Sequence, residues 1–261
     1  MADLLRVDNL SKSFAARGGL PWRRRRVAAV NDVSLSVQRG RTLGLVGESG
    51  SGKSTLGRCI LGLTRPDGGH ISFDGVEVQA LSGRALSDFR RRVQPVFQDP
   101  YGSLDPRWPV GRSVRESLDC YRIGTPGDRN RRVLDLFARV GLNPALAGRL
   151  PTHLSGGQRQ RVGIAAALAS EPELIIADEP VSALDMSVQA QILNLFLDLR
   201  QDLGVASIFI THDLGVVEHV SHEVAVMYRG AIVETGATEQ VMKHAKHQYT
   251  RTLLAAVPRP R

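Results

Sequence analysis

Short apolar runs alternate with amphipathic stretches along most of this 261-residue chain. Period-two or short apolar runs predict strands, and apolar residues that recur every three to four positions predict helices. Residues 111–148 lack a strand signal and are broken by Gly and Pro, which predicts a helical insertion. The predicted strands cover residues 4–7, 33–37, 42–46, 71–73, 93–97, 174–177 and 206–210, with a turn at Asp74-Gly75 and a hairpin across Arg229-Gly230; the predicted helices cover 53–63, 158–169, 188–202 and 237–256.

Polar residues suited to nucleotide chemistry follow four of these predicted strands. The alternation of strands and helices predicts an α/β fold with a mostly parallel sheet covered on both faces. Ligands of such sheets gather at the carboxyl ends of the strands. The residues found there are a glycine-rich segment after Val46, then Gln98, the pair Asp178-Glu179, and His212. Each is a weak signal alone, and together they predict one nucleotide site.

The glycine-rich segment fits the phosphate-binding loop pattern Gly-x4-Gly-Lys-Ser/Thr. Its glycines let the backbone curl so that N–H groups point at phosphate oxygens, and the following helix directs its positive end at them. Lys53 is expected to bind the β- and γ-phosphates, and the Ser54 hydroxyl to ligate Mg²⁺. The alternative is a glycine-rich turn with a chance lysine, which the flanking strand and helix disfavour. The predicted nucleotide-binding residues are Gly47, Glu48, Ser49, Gly50, Ser51, Gly52, Lys53, Ser54 and Thr55.

The acidic pair and two further polar residues supply the rest of a hydrolysis site. Asp178 can hold Mg²⁺ opposite Ser54, directly or through water, and Glu179 can take a proton from the attacking water. Gln98 can orient this water or fill a Mg²⁺ position, and His212 can donate a hydrogen bond to a γ-phosphate. The alternatives are a helix-capping acidic pair, a solvated loop glutamine and a structural histidine.

The run Leu154-Ser155-Gly156-Gly157-Gln158 is the second informative motif. Two glycines at the opening of a helix are costly, because each loses about 1 kcal/mol relative to Ala in a helix. Their N–H groups and the Ser155 hydroxyl can form another anion site at a helix N-terminus. A plain N-cap is the alternative, and it explains the serine but not both glycines.

The composition is that of a globular protein, with 42% hydrophobic and 23% charged residues. No apolar run approaches the ~20 residues that span a bilayer, and Asp3 and Arg6 interrupt any signal-peptide core. Cys59 and Cys120 match no metal spacing and are expected to be free, mostly buried thiols in a reducing cytoplasm. The net charge of +8, with basic runs at 23–26, 90–92 and 129–132, leaves open a nucleic-acid surface, an anionic membrane contact, or solvated basic faces.

Taken together, the motifs resemble those of the ATP-binding cassette (ABC) ATPase family. GESGSGKST, Gln98, LSGGQ, ADEP, SALD (182–185) and His212 occur in that family's order, over nearly the whole chain. The resemblance implies an α/β P-loop NTPase core of RecA type, an antiparallel β subdomain and an inserted α-helical subdomain. In a single domain of residues 1–261, it places the core and β subdomain at about 1–97 and 159–236, the helical subdomain at about 98–158, and a C-terminal helical tail at about 237–261.

The resemblance also implies sites that are shared between two chains. In that family two cassettes pack head to tail, and each ATP lies between the phosphate loop of one and the LSGGQ of the other. Asp185 would shape the partner's site. Phe14 matches the aromatic that stacks on adenine, and a core phenylalanine at a strand end is its alternative. The residues that would bind the partner's nucleotide are Ser155, Gly156, Gly157 and Gln158. ATP and Mg²⁺ are the expected cofactors, with the metal held by Ser54, Gln98 and Asp178.

A narrower resemblance is to the peptide/opine/nickel importer ATPases. It is carried by FQDPYGSLDPR, DEPVSALDMSVQAQILNL, THDLGVVEHV and HQYTRTLLAAVP. That subgroup commonly continues into an extension whose cysteines can hold an iron–sulfur cluster. Because this sequence ends at Arg261 without those cysteines, no cluster is expected, and a nickel or other metal-chelate cargo is as well supported as a peptide.

The sequence therefore predicts the ATPase subunit of an ABC importer, bound peripherally at the cytoplasmic face of the inner membrane. Its expected partners are a second ATPase subunit, identical or paralogous, two membrane-spanning permease subunits and, through the complex, an extracytoplasmic solute-binding protein. No nucleic acid is expected. The competing class is a soluble ABC ATPase acting on nucleic acid or ribosomes, which the basic charge favours. A kinase or other phosphate-loop transferase leaves LSGGQ unexplained.

Overall fold

The computed structural model describes residues 3–15 and 26–256. Residues 23–25 of the first basic run, and Pro258, where the helical tail was predicted to stop, lie outside these ranges. The strands, numbered along the chain, are β1 (Asp3–Ala15), β2 (Arg26–Gln38), β3 (Thr42–Val46), β4 (Gly68–Phe73), β5 (Val76–Glu77), β6 (Val93–Val96), β7 (Leu174–Asp178), β8 (Ala206–Thr211), β9 (Glu223–Tyr228) and β10 (Ala231–Ala237).

The α-helices are interspersed with these strands. They are α1 (Lys53–Ile60), α2 (Gly83–Arg92), α3 (Pro100–Ser103), α4 (Val110–Cys120), α5 (Pro126–Arg139), α6 (Gly156–Leu168), α7 (Met186–Leu203), α8 (Leu214–Val220), α9 (Thr238–Lys243) and α10 (Gln248–Ala255). Across 3–15 and 26–256, none of them combines the length and the hydropathy needed to cross a bilayer.

The chain divides into two compact units, Met1–Leu81 with Ala206–Arg261, and Ser82–Val205. The first contains the antiparallel sheet, the segment around β3 and the C-terminal helices. The second contains β6, β7 and the helices from α2 to α7. This division places β6 and β7 in one unit with the helices of 111–148. The predicted subdomain boundaries, which come from the family resemblance, are drawn differently and remain a prediction.

Strand β3, the central one of the parallel strands in the first unit, is fully buried. All five residues of β3 are buried, which explains its unbroken apolar pattern. β3 pairs in parallel with β8 and with β9, and β10 returns antiparallel to β9. The register sets Val46 beside Thr211 of β8 and Val226 of β9. The ends of β3 and β8 therefore lie at one edge, where the sequence predicted a site.

A second, antiparallel sheet of the first unit has the strand order β2-β1-β4-β5. The predicted turn between β4 and β5 is confirmed: Asp74 and Gly75 have φ values of 53° and 77°. Positive φ at both central residues is the geometry of a tight hairpin turn, and glycine tolerates it without steric cost.

In the second unit, β6 and β7 pair in parallel, with Val96 beside Ala177. The described backbone between 111 and 148 is helical or irregular, as predicted, and its assignment to an inserted subdomain stays a prediction. Helix α2 was not predicted, because it is short and rich in arginine, and Phe89 is its one buried residue. The seven-residue helix α8 was also missed.

The predicted helical tail of 237–256 is wrong as a single element. Helices α9 and α10 are separated at residues 244–247. The N–H groups of Lys246 and His247 donate to the Glu234 carboxylate at 2.7 and 3.1 Å. The backbone there is satisfied by a side chain instead of by helix carbonyls, so the helix stops and restarts.

Arginines of the basic runs have partners within the fold. Arg92 pairs with Glu173, and Arg91 donates to the Ser170 carbonyl oxygen. Arg129 pairs with Asp119 at 2.7 Å, and Arg132 with Glu171 at 2.8 Å. These charges are used to tie elements together, which weakens the interpretation of the runs as a nucleic-acid surface.

Candidate nucleotide-binding site

The phosphate loop joins the end of β3 to the start of α1. Gly52, its last residue before the helix, has a φ of 110°. A Cβ atom at this position would lie 2.0 Å from the carbonyl oxygen of Ala29 in β2. Only glycine fits both the backbone conformation and the close approach. The loop is therefore held against β2 with no room for a side chain.

Lys53 lies inside the curl of this loop, with 4% of its surface exposed. Its Nζ donates to the carbonyl oxygens of Gly47 and Glu48 at 2.6 and 2.8 Å. Helix α1 begins without a side-chain cap and without an acidic residue in its first turn. Its N-terminal N–H groups and positive dipole end thus meet a buried ammonium group, and this combination favours a multiply charged anion.

Two hydrogen bonds join the loop to residues of the same unit that lie far along the chain. The Ser51 carbonyl oxygen accepts a hydrogen bond of 2.9 Å from the N–H of Gly230, in the β9–β10 turn. The N–H of Glu48 donates to the Tyr249 hydroxyl of α10 at 3.0 Å. Neither contact was predicted, because the sequence motif ends at Thr55 and these partners lie about 180 to 200 residues further along the chain.

His212 is brought to the same edge as the phosphate loop. It directly follows Thr211, which pairs with Val46 across β8 and β3. Its side chain is exposed, whereas Asp213 caps α8 by accepting hydrogen bonds from the N–H groups of Gly215 and Val216. The position of His212 at this edge suits its predicted contact with a phosphate, which stays a prediction.

Phe14 is an exposed aromatic near the end of β1. With 46% of its surface exposed, it is not the core residue of the alternative interpretation. The segment before it is tied down by Asp67, which accepts hydrogen bonds from Lys12 and from the N–H and hydroxyl of Ser13. These bonds hold the pKa of Asp67 well below its usual range. An exposed ring on an anchored strand suits stacking, and the contact with adenine stays a prediction.

Gln98, Asp178 and Glu179 lie at or just after the carboxyl ends of β6 and β7, the paired strands of the second unit. Asp178 is the last residue of β7, and Val96 pairs with Ala177 one position earlier. Gln98 is exposed two residues beyond β6. Glu179 has a φ of 47°, a left-handed conformation that is uncommon for a residue with a side chain. Its carbonyl oxygen accepts hydrogen bonds from the N–H and hydroxyl of Ser182, which fix the turn after the strand.

Ser155 and Gln158 form a capping box at the start of α6. The Ser155 hydroxyl accepts from the N–H of Gln158 at 3.2 Å, and the Gln158 side chain accepts from the N–H of Ser155 at 2.9 Å. The N-cap interpretation of the serine is therefore confirmed. Ser155 is exposed at the N-terminus of α6. Its binding to a partner's nucleotide stays a prediction.

The second glycine of the motif has a packing role as well. A Cβ atom on Gly157 would lie 2.4 Å from Cγ1 of Val188 in α7. Asp185 caps α7 by accepting from the N–H of Val188 and the hydroxyl of Ser187. These bonds lower the pKa of Asp185. The second glycine of LSGGQ is thus packed against the first turn of α7, the helix that Asp185 of SALD caps, which the sequence alone did not predict.

Replacement of Gly157 by Ala is expected to destabilise the protein by about 1–2 kcal/mol, because the methyl group overpacks the contact with Val188. Gly163 lies in the same helix, and a Cβ atom added there would meet no other atom within 4 Å. Gly163→Ala is therefore the matched control and should stabilise the protein by about 0.5–1 kcal/mol through helix propensity. Urea unfolding of both variants measures the difference. Equal effects of the same sign would show that the contact with Val188 does not restrict position 157.

The three predicted metal ligands are each of the chemical kind that magnesium binds. Ser54, Gln98 and Asp178 offer hydroxyl, amide and carboxylate oxygens, which are the hard donors that Mg²⁺ prefers. Over the ranges 3–15 and 26–256, no three His, Cys, Asp or Glu residues are grouped to hold a metal ion. Mg²⁺ does not need such a group, because it keeps several waters and takes phosphate oxygens as ligands.

Comparison with known proteins supports the predicted family. The family model described as ABC transporter matches residues 30–182. The chain is 52% identical over 256 residues to the glutathione import ATP-binding protein GsiA of Pectobacterium atrosepticum, spanning 98% of this chain and 41% of that protein. It is 49% identical over 260 residues to the "Probable peptide ABC transporter ATP-binding protein y4tS" of Sinorhizobium fredii, spanning 98% and 73%. The chain thus spans less than half of the length of GsiA.

Two solved structures share the fold. One is a dimer of the ATP-binding cassette MJ0796 in a post-hydrolysis state bound to ADP and Pi, with a TM-score of 0.79 and 29% identity over 90% of this chain and 98% of that chain. The other is cbiO1 of Clostridium perfringens, part of the transporter complex cbiONQ, with a TM-score of 0.79 and 28% identity over 93% and 91%. The matched family, the similar relatives and the shared fold together place this chain in the ABC transporter family.

Proposed function

We propose that this chain is the ATP-hydrolysing subunit of an ABC importer, bound peripherally at the cytoplasmic face of the membrane. The observation that carries the proposal is the phosphate loop, where the buried Lys53 and the uncapped N-terminus of α1 together suit the phosphates of a nucleotide. GsiA is named a glutathione import ATP-binding protein and y4tS a probable peptide ABC transporter ATP-binding protein, which supports the same function.

In this proposal the phosphate loop binds the triphosphate, and Lys53 moves its hydrogen bonds from loop carbonyl oxygens to the β- and γ-phosphates. Glu179 takes a proton from the water that attacks the γ-phosphate, and His212 donates a hydrogen bond to that phosphate. Magnesium, held by Ser54, Gln98 and Asp178, would neutralise the charge that develops on the phosphate oxygens. ADP and inorganic phosphate are the products.

The active form would be a pair of cassettes. The start of α6, from Ser155 to Gln158, would face the nucleotide on the phosphate loop of the partner chain, and Asp185 would lie beside it. Closure on ATP and reopening after hydrolysis would move two membrane-spanning permease subunits. A solute-binding protein would deliver the cargo. Peptides, including the tripeptide glutathione, are favoured over a nickel chelate, because the relatives carry the names of peptide and glutathione systems.

Lys53→Ala is expected to weaken ATP binding at least tenfold, because a charge-assisted contact with the phosphates is worth roughly 1.5–3 kcal/mol. Lys243→Ala is the matched control, since Lys243 makes an exposed pair with Glu239 within α9. A fluorescent ATP analogue measures the affinity, and glutathione or dipeptide uptake by vesicles that contain the permease measures transport. Unchanged affinity in Lys53→Ala would remove this residue from the phosphate site. Uptake that does not need ATP or this chain would overturn the importer assignment.

A further inference from the structure

The C-terminal helix α10 contacts the phosphate loop through one hydroxyl group. Tyr249 accepts a hydrogen bond of 3.0 Å from the N–H of Glu48, which is the second residue of the loop. Glu48 itself is exposed, as are Ser49 and Gly50. An exposed glycine-rich turn has many accessible conformations, so a contact that fixes the N–H of Glu48 reduces the entropy to be lost when phosphate binds.

The ring of Tyr249 is held in place by the β9–β10 hairpin. It packs on Tyr228 with the ring centroids 4.1 Å apart. Two residues further along this hairpin, the N–H of Gly230 donates to the Ser51 carbonyl oxygen of the loop at 2.9 Å. The same hairpin therefore supports the loop directly and supports the tyrosine that holds its other end.

The start of α10 is fixed by two side chains. Glu234 in β10 accepts hydrogen bonds from the N–H groups of Lys246 and His247. The Nδ1 of His247 accepts from the N–H of Tyr249 at 3.1 Å and so caps the helix. The tyrosine is thus positioned from its backbone as well as from its ring.

Apolar packing joins α10 to the strand that carries the loop. Val46, the last residue of β3, is fully buried in a cluster against which Tyr249, Leu253 and Leu254 pack. Partial burial raises the pKa of the Tyr249 hydroxyl, so the group that accepts from the N–H of Glu48 at physiological pH is the neutral phenol.

We propose that Tyr249 is a positioning residue of the nucleotide site and that α10 sets the affinity of the phosphate loop for ATP. The tyrosine holds the first bend of the loop in the conformation that binds phosphate, without itself touching the nucleotide. This inference rests on the proposed nucleotide-binding function of residues 47–55.

Tyr249→Phe removes the hydroxyl and keeps the ring that packs on Tyr228. A single hydrogen bond contributes about 0.5–1.5 kcal/mol, so the Kd and the KM for ATP are expected to rise about twofold to tenfold. The kcat should stay within about twofold, because the residues assigned to the chemistry are unchanged. Hydrogen exchange of the peptide that contains Glu48 should become faster in the nucleotide-free variant. Thr252→Val is the matched control, since the Thr252 hydroxyl bonds within α10, to the Gln248 carbonyl oxygen.

A second variant, Glu234→Gln, tests whether the anchoring of α10 affects the affinity of the phosphate loop for ATP. One amide oxygen cannot replace a carboxylate that accepts from two N–H groups, so the KM should rise in the same direction with kcat preserved. The proposal is overturned if Tyr249→Phe binds ATP as tightly as Thr252→Val, or if exchange at Glu48 is unchanged. A fall in kcat at constant KM would overturn it too. If Lys53→Ala also binds ATP normally, the error lies in the assignment of the phosphate loop, and not in Tyr249.

Discussion

Glu179→Gln is expected to lower steady-state ATP hydrolysis by ~10²–10⁴-fold, the usual contribution of a general base. Glutamine keeps the size and a hydrogen-bonding oxygen but cannot take the proton of the attacking water. ATP affinity should be retained, because the residues that contact the phosphates are unchanged. The strained φ of 47° supports a functional role, since such conformations persist where the surroundings fix them and cluster at active sites.

The matched control is Glu239→Gln, the same chemical change in an exposed pair with Lys243. It should hydrolyse ATP at the rate of the unchanged protein, since such surface pairs contribute little to stability. Phosphate release at saturating ATP and equilibrium binding of an ATP analogue measure the two properties separately. Turnover in Glu179→Gln within about threefold of the unchanged protein would exclude Glu179 as the base.

Ser155→Arg, introduced into Glu179→Gln, is expected to abolish ATP-dependent dimers. The hydrolysis-deficient parent should associate when Mg-ATP is added and separate when it is removed. A bulky side chain at Ser155 would occupy the space that the partner's γ-phosphate needs. Binding of ATP to the chain's own phosphate loop should stay nearly intact, because that loop belongs to the other compact unit. Light scattering with and without ATP, together with nucleotide binding, measures both.

The capping box at Ser155 requires two controls. Loss of this N-cap costs about 1 kcal/mol, so Ser155→Arg also weakens α6. Ser155→Asp keeps a capping oxygen and places a negative charge toward the phosphate, so it too should block dimers without loss of stability. Thr152→Arg adds the same bulk at an exposed position three residues earlier and should dimerise normally. Full association of both Ser155 variants would mean that LSGGQ does not contact the partner's nucleotide.

The residues with local chemical constraints were predictable. Gly52 and Lys53 belong to a motif that specifies a single tight turn: Gly52 has the positive φ that the turn needs, and Lys53 begins the predicted helix. Their contacts with phosphate stay a prediction. The strand 42–46 was predicted with its observed bounds because all five residues are buried. By contrast, the helix 237–256 was wrong as one element, since a carboxylate from β10 takes two of its backbone N–H groups. No local pattern indicates such a competitor.

By itself, the sequence determined the strand before the phosphate loop, the start of the helix after it and the residue types of the loop, because periodicity and turn residues act over a few neighbouring positions. The tertiary structure decided which distant residues support them. It placed Val188 against Gly157, which gives a packing reason for a glycine that the N-cap alone could not explain. It also placed the Tyr249 hydroxyl on the N–H of Glu48, across 201 residues of sequence. Such contacts depend on how strands and helices pack, and packing is a property of surfaces that residues far apart in the chain form together.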